Sequence, residues 1–159
     1  IDLRHGEDGL QHMYLDGEDV SAAIREPRVS RYASGVSAIP EVRAFLMDMQ
    51  RGLARRQNVI MDGRDIGTVV LPGADVKIFL TATAEDRARR RYAELTERGT
   101  DTDFDTVLRD IIARDEKDTQ RAAAPLRQAE DAIAVDTTGN TLEESFRQLL
   151  GVVRAGVGL

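Results

Sequence analysis

Three short apolar runs limit what this chain can fold into: residues 59–61 (VIM), 76–80 (VKIFL) and 132–135 (AIAV). None alternates apolar and polar residues for long, as a strand with one wet face would. Runs of this kind are the pattern of parallel strands covered by helices on both faces. Helical segments lie between and around them. Pro40 opens one, with Val42, Phe45, Leu46, Met49 and Leu53 at three- and four-residue spacing up to Arg56. Thr83 and Asp86 read as an N-cap and capping-box-like pair, and Gly99 ends that helix. Residues 103–120 predict another helix, and Thr141 with Glu144 opens a last one running to about Arg154. At the front, residues 1–4 and 10–15 flank Gly6-Glu7-Asp8-Gly9 as a hairpin, with Asp16-Gly17 as a second turn. Residues 21–38 read as mostly helical. The alternation of strands and helices predicts an α/β fold with a parallel sheet.

Composition narrows the function. The 159 residues carry a net charge of −6, and the pI is about 5.0. That balance argues against non-specific nucleic-acid binding but not against a small anion held by local arginines. Arg far outnumbers Lys, and its planar fork matches phosphate and carboxylate edges. With no Cys, disulfides and thiolate metal sites are excluded; with only His5 and His12, a histidine-based metal site or triad is not expected. No stretch approaches the ~18 apolar residues of a membrane span, and no N-terminal signal is visible. The first residue is Ile, so the chain is expected to be a piece of a longer protein.

Three polar constellations stand out. The first is Met61-Asp62-Gly63-Arg64-Asp65-Ile66-Gly67, at the end of the first apolar run. Ligands of open α/β sheets sit at the carboxyl ends of strands. There Asp62 is placed to hold Mg²⁺, often through water, Arg64 to reach a phosphate, and Asp65 to accept hydrogen bonds. The bland alternative is a glycine turn with a surface ion pair. The second is a helical stripe, Val107, Ile111, Arg114, Asp118 and Arg121, which begins apolar and becomes charged without changing direction. It fits a core-facing side that runs into a polar cleft, or else a solvated helix end. The third is Arg87-Ala88-Arg89-Arg90-Arg91, where Arg87, Arg90 and Arg91 are near-neighbours. Such arginines either neutralise a transferring phosphoryl group or form a salt-laced exposed helix. Asp136-Thr137-Thr138-Gly139 follows the third run as a loop at the same edge, or as a turn into the Thr141 cap.

Together, MDGRDIGTVVLPGADVKIFLTAT, the arginine run, ARDEKDTQRAAAPL and AEDAIAVDTTG resemble the bacterial cytidylate (CMP/dCMP) kinase family. LDGEDVSAAIREPRVSRYASGVSAIPEVRAFL is similar to that family's nucleotide-binding insert. The resemblance implies a P-loop nucleoside monophosphate kinase-like three-layer fold, with residues 1–38 as the CMP-binding insert. Residues 39–159 would be the rest of the core, including a lid at about 84–100. It implies Mg²⁺-dependent transfer of the ATP γ-phosphoryl group to CMP or dCMP by a cytoplasmic monomer. Base contacts would fall on Ser34, Arg43 and Asp65, sugar contacts on Arg114 and Asp118, and phosphate-side roles on Arg64 and Arg121. Asp62 would hold Mg²⁺ through water, and Arg87, Arg90 and Arg91 would belong to the lid.

The family pattern begins with an apolar strand, a GxxxxGK[ST]-like loop and a helix, and none of these is found in this sequence. The resemblance puts that strand between residues 59–61 and 76–80, so both runs are expected to lack a shared neighbour. This leaves a cytidylate kinase piece without activity of its own as the leading expectation. The alternatives are another small-substrate P-loop kinase such as one for UMP, a non-catalytic CMP-binding module, or an RNA-contacting domain. The acidic pI and an aromatic content of 4% weigh against the last, since few rings are available for base stacking.

Overall fold

The computed structural model describes residues 1–37 and 39–158; the side chains of residues 27, 30, 31 and 34 lie outside the described residues. The chain forms two units, Ile1–Leu46 and Met47–Leu159, with the division falling inside a helix.

In the first unit, β1 (Asp2–His5), β2 (Gln11–Leu15) and β3 (Glu18–Asp19) make an antiparallel sheet in that order. The expected turns are in place: Gly9 and Gly17 both take positive φ. A 3-10 turn at Ala23–Arg25 and helix α1 (Pro27–Ser37) follow. Helix α2 (Pro40–Arg56) starts at its proline as expected.

The second unit contains the parallel pair β4 (Ile78–Thr81) and β5 (Ile133–Asp136), with Ile78 opposite Ile133 and Thr81 opposite Asp136. Between them run α3 (Ala84–Glu97) and α4 (Phe104–Gln120), and α5 (Leu142–Val157) closes the chain. The caps are those read from the sequence. The Thr83 side chain accepts from the Asp86 backbone N–H, and Thr141 with Glu144 forms a complete capping box. Gly99, just past α3, has φ +70, a conformation that favours glycine. Asp103 caps α4 by accepting from the Thr106 N–H at 2.9 Å.

The core of this unit lies between α3 and α4. Ala88, Leu95 and Val107 are buried, and Tyr92, Phe104, Leu108 and Ile111 pack on them. Tyr92 and Phe104 meet edge to face at 6.3 Å. Among the described residues no helix is long and apolar enough to cross a membrane.

One expected strand does not form. Residues 58–62 are irregular, and Ile60 is fully exposed at 101%. A strand is defined by the ladder it joins. Among the described residues the only pairings in this unit are those of β4 with β5, so an apolar run without a neighbour stays out of regular structure.

The first unit contains a charge clip. His12 sends Nδ1 to Asp19 Oδ2 and Nε2 to Asp8 Oδ2, each at 3.0 Å. A neutral imidazole has one N–H, so both contacts are donors only in the imidazolium. Arg4 lies cross-strand from His12 and pairs with Asp2 at 2.9 Å. The hydrogen bonds to Asp19 and then Asp8 raise the His12 pKa above its ordinary 6.5. Asp19 is pulled down to about 2, chiefly by Ser21, and Asp8 is lowered by the Leu10 N–H and by His12. His12 therefore adds stability that is complete below its unfolded pKa and disappears as pH rises through the folded one. The carboxylates add stability above their unfolded values and lose it as pH falls through the folded ones. We expect His12 to titrate by NMR above 6.5 and the hairpin amides to exchange faster on the alkaline side of that midpoint. A midpoint at or below 6.5 contradicts the clip.

Candidate functional site

The site grows from two segments of the second unit. The first is the glycine-spaced run after the irregular residues 58–62. It enters a π-helical turn, Ile66–Val70, in which the Val70 N–H reaches back to Asp65 O and the Leu71 N–H to Ile66 O. Asp65 O also accepts from the Val69 N–H at 2.9 Å, so the widened turn converges on this residue. Arg51 of α2 closes the other end, donating from Nε to Val70 O at 2.9 Å and from NH2 to Val69 O at 2.8 Å. A Cβ on Gly63 would come within 2.8 Å of the Ile66 side chain, so the approach to the turn favours glycine.

The second segment is the last part of α4. Val107 is buried and Ile111 half-buried; the same stripe then reaches Asp118, which is 3% exposed. Asp118 also anchors the chain that leaves the helix, because its carbonyl accepts from the Leu126 N–H at 2.8 Å. Arg121 turns back, with Nε donating to Ala124 O at 2.6 Å.

The two segments interlock through their charges. Arg64 Nε donates to Asp118 Oδ2 at 2.9 Å, and Arg114 Nε lies 3.9 Å from the same oxygen. Arg121 NH2 lies 3.5 Å from Asp65 Oδ1. Each segment thus supplies a cation to the other's carboxylate. Among the described residues, three guanidiniums meet two carboxylates here. Such a cluster can take a phosphate on the arginine forks while hydroxyls or amines meet the carboxylates.

The remaining expected residues are placed differently. Arg87, Arg90 and Arg91 do not converge. Arg87 grips Asp115 and Ala82 O. Arg90 donates from NH2 to Thr137 O at 2.5 Å, and Arg91 pairs with Glu94 at 2.7 Å. Arg90 also lies 2.5 Å from Asp86 Oδ2, but this carboxylate oxygen accepts no well-directed hydrogen bond, so the contact neutralises charge without orienting it. Asp62 is exposed in the irregular segment. Among the described residues no three His, Cys, Asp or Glu side chains gather as a metal site. Mg²⁺ bound mainly by nucleotide phosphates needs only one or two carboxylates, so Asp62 fits a contact through water. Arg43 is half-buried on α2 in the first unit. The side chain of Ser34 lies outside the described residues.

Two positioning residues escaped the sequence reading. They are Arg51 and Asp115. Neither shows in local spacing, because Arg51 bonds carbonyls 18 and 19 residues away and Asp115 meets an arginine 28 residues away.

Arg87 bridges Asp115 of α4 to Ala82, which immediately follows β4. The interlocked cluster therefore stands near the carboxyl end of a parallel strand, where α/β proteins bind nucleotides and other phosphorylated ligands. The chain belongs to the cytidylate kinase family, whose family model matches residues 1–155. It is 56% identical over 143 residues to a cytidylate kinase of Caldicellulosiruptor bescii, covering 90% of this chain and 63% of that protein. It is 51% identical over 153 residues to one from Carboxydothermus hydrogenoformans, covering 96% and 68%. To one from Streptococcus equi subsp. zooepidemicus it is 52% identical over 142 residues, covering 89% and 63%. The chain thus spans about two thirds or less of the relatives it matches, and the family's fold is the α/β P-loop nucleoside monophosphate kinase fold.

Removing the buried Asp118 carboxylate leaves Arg64 and Arg114 facing each other without compensation. Asp118→Ala in the full-length protein is expected to lower stability by about 2 kcal/mol. This is less than for a fully buried pair, because Arg64 keeps access to solvent. Urea unfolding midpoints measure it, and an unchanged midpoint refutes the interlock. Arg51→Ala is expected to lower stability by about 1 kcal/mol and to speed amide exchange over residues 66–71. Unchanged exchange there would show that the turn holds itself.

Proposed function

We propose that the protein containing this chain transfers the γ-phosphoryl group of ATP to CMP or dCMP, giving CDP or dCDP, and that the interlocked cluster is its acceptor side. The observation that carries this is the meeting of Arg64 and Asp65 with Arg114, Asp118 and Arg121 in one arginine-rich group around the buried Asp118 carboxylate. Membership of the cytidylate kinase family supports a cytidine monophosphate as the acceptor.

In this reading Arg121 exchanges its carboxylate partner for the acceptor phosphate, while Arg64 keeps Nε on Asp118 and turns its terminal nitrogens to the phosphate. The Arg121–Asp65 contact is long for a hydrogen bond at 3.5 Å, so the exchange gives up little. Asp65 then accepts from the exocyclic amine of cytosine. Uracil presents a carbonyl at that position and would leave the carboxylate opposed by another acceptor. Arg114 and Asp118 meet the sugar hydroxyls, with Asp118 held in place by burial. Mg²⁺ on the nucleotide phosphates would neutralise charge developing in the transfer, with Asp62 as its contact through water. Arg91 pairs with Glu94, three residues away on its own helix, and can swing toward a phosphate without disturbing another element. Arg90 lies by the loop after β5 and would act from there.

The 159 residues contain no GxxxxGK[ST] loop. A polypeptide of these residues alone is expected to produce no CDP from ATP and CMP, and a CMP-dependent ADP signal from it would refute that. In the full-length protein, Asp65→Ala is expected to reduce the preference for CMP over UMP by about a hundredfold, read as the ratio of kcat/KM values. An unchanged ratio would remove Asp65 from base recognition. CMP binding with no turnover by the full-length protein would favour a binding module.

A further inference from the structure

The sequence groups Arg87, Arg90 and Arg91 as one set of cations on a moving helix. The side chains separate Arg87 from the other two. Its Nε donates to Ala82 O at 3.0 Å, NH1 to Asp115 Oδ1 at 3.0 Å and NH2 to Asp115 Oδ2 at 2.6 Å. All three nitrogens are committed, and the pair is a bidentate fork, the strongest form of this interaction. The pairing raises the Arg87 pKa, chiefly through the hydrogen bonds to Asp115.

The location of the fork matters as much as its geometry. The apolar contact between α3 and α4 uses Ala88, Tyr92 and Leu95 on one side and Phe104, Val107, Leu108 and Ile111 on the other. It stops at Ile111, before the segment that carries Arg114, Asp118 and Arg121. Asp115 is one turn beyond Ile111, one residue after Arg114 and three before Asp118. The Arg87 fork therefore fastens α4 where its apolar packing ends and its ligand-facing residues begin. Through Ala82 the same side chain fixes that point to the end of β4. If Arg87 turned toward a phosphate, it would leave the half-buried Asp115 without its cation and release the helix that holds the acceptor cluster.

We infer that Arg87 is a positioning residue acting through Asp115, which holds the ligand-bearing end of α4 against the carboxyl end of β4, and not a ligand of the transferring phosphoryl group. The kinetic arm of the test rests on the proposed kinase reading; the exchange arm does not.

The experiment compares Arg87→Ala, Asp115→Ala and the double variant in the full-length protein. Each single change is expected to raise the acceptor KM roughly tenfold with kcat nearly kept, as misplaced binding groups do. The double variant should be no worse than either single, the mark of one shared interaction. Amide exchange at residues 114–120 should quicken equally in all three. Arg87→Lys and Asp115→Asn serve where the alanine variants do not fold. Lysine keeps the charge but loses the fork, so Arg87→Lys should behave like Arg87→Ala. A wild-type-like Asp115 variant beside an Arg87 variant that loses kcat a hundredfold would overturn the inference, as would unchanged exchange at 114–120. If the wild-type protein does not phosphorylate CMP, the kinase reading falls. Faster exchange in the Asp115 variant would still uphold the strut, and unchanged exchange would refute it.

Discussion

The second unit is organised around a buried carboxylate. Asp118 is the least exposed acid among the described residues, at 3%. Burial disfavours a charged group unless cations and hydrogen bonds compensate it. Arg64, from a segment 54 residues away, supplies that compensation, with Arg114 one helical turn back on the same helix. The need for charge balance thus joins the glycine-spaced turn to the end of α4. The Asp65–Arg121 contact repeats the arrangement with the signs reversed between segments. Two charged groups exchanged across one seam specify a register that apolar packing alone would leave loose.

The local features were legible in the sequence because their causes are local. The hairpin turns, the start of α2 at Pro40, the Thr83 and Thr141 caps and the glycine beyond α3 all follow from backbone chemistry within four residues. The stripe on α4 was legible too: the step from Ile111 to Arg114 and Asp118 marked where the helix leaves the core. The run 59–61 was not legible as it stands, because strand formation depends on a hydrogen-bonding neighbour and not on the run itself. Which arginine meets which acid was also hidden. The Asp86–Arg90 contact falls at helical spacing, but spacing along α3 gives no hint that Arg87 would bind Asp115 or that Arg90 would reach Thr137. Long-range ion pairs are set by how the elements pack, and spacing along one helix does not contain that information.

The π-helical turn shows how the candidate site is held in shape. A wide turn is uncommon and needs support. Here the support comes from outside the turn, through the Arg51 guanidinium on two of its carbonyls and through the close approach allowed by Gly63. Arg51 and Arg87 thus have parallel roles: one steadies the segment that presents Arg64 and Asp65, the other, on our inference, the helix that presents Arg114, Asp118 and Arg121. Neither residue needs to touch a ligand for its loss to be felt there.

The central claim is that Arg64 and Arg121 of the interlocked cluster take the phosphate of a cytidine monophosphate and Arg114 meets its sugar. Following the guanidinium Nε resonances of the full-length protein by NMR during a CMP titration tests it most directly. The account predicts saturable shifts at Arg64, Arg114 and Arg121 with a common dissociation constant, while Arg51 stays on its carbonyls and does not shift. Saturable CMP binding that leaves those three resonances in place would contradict it and move the acceptor site elsewhere in the protein.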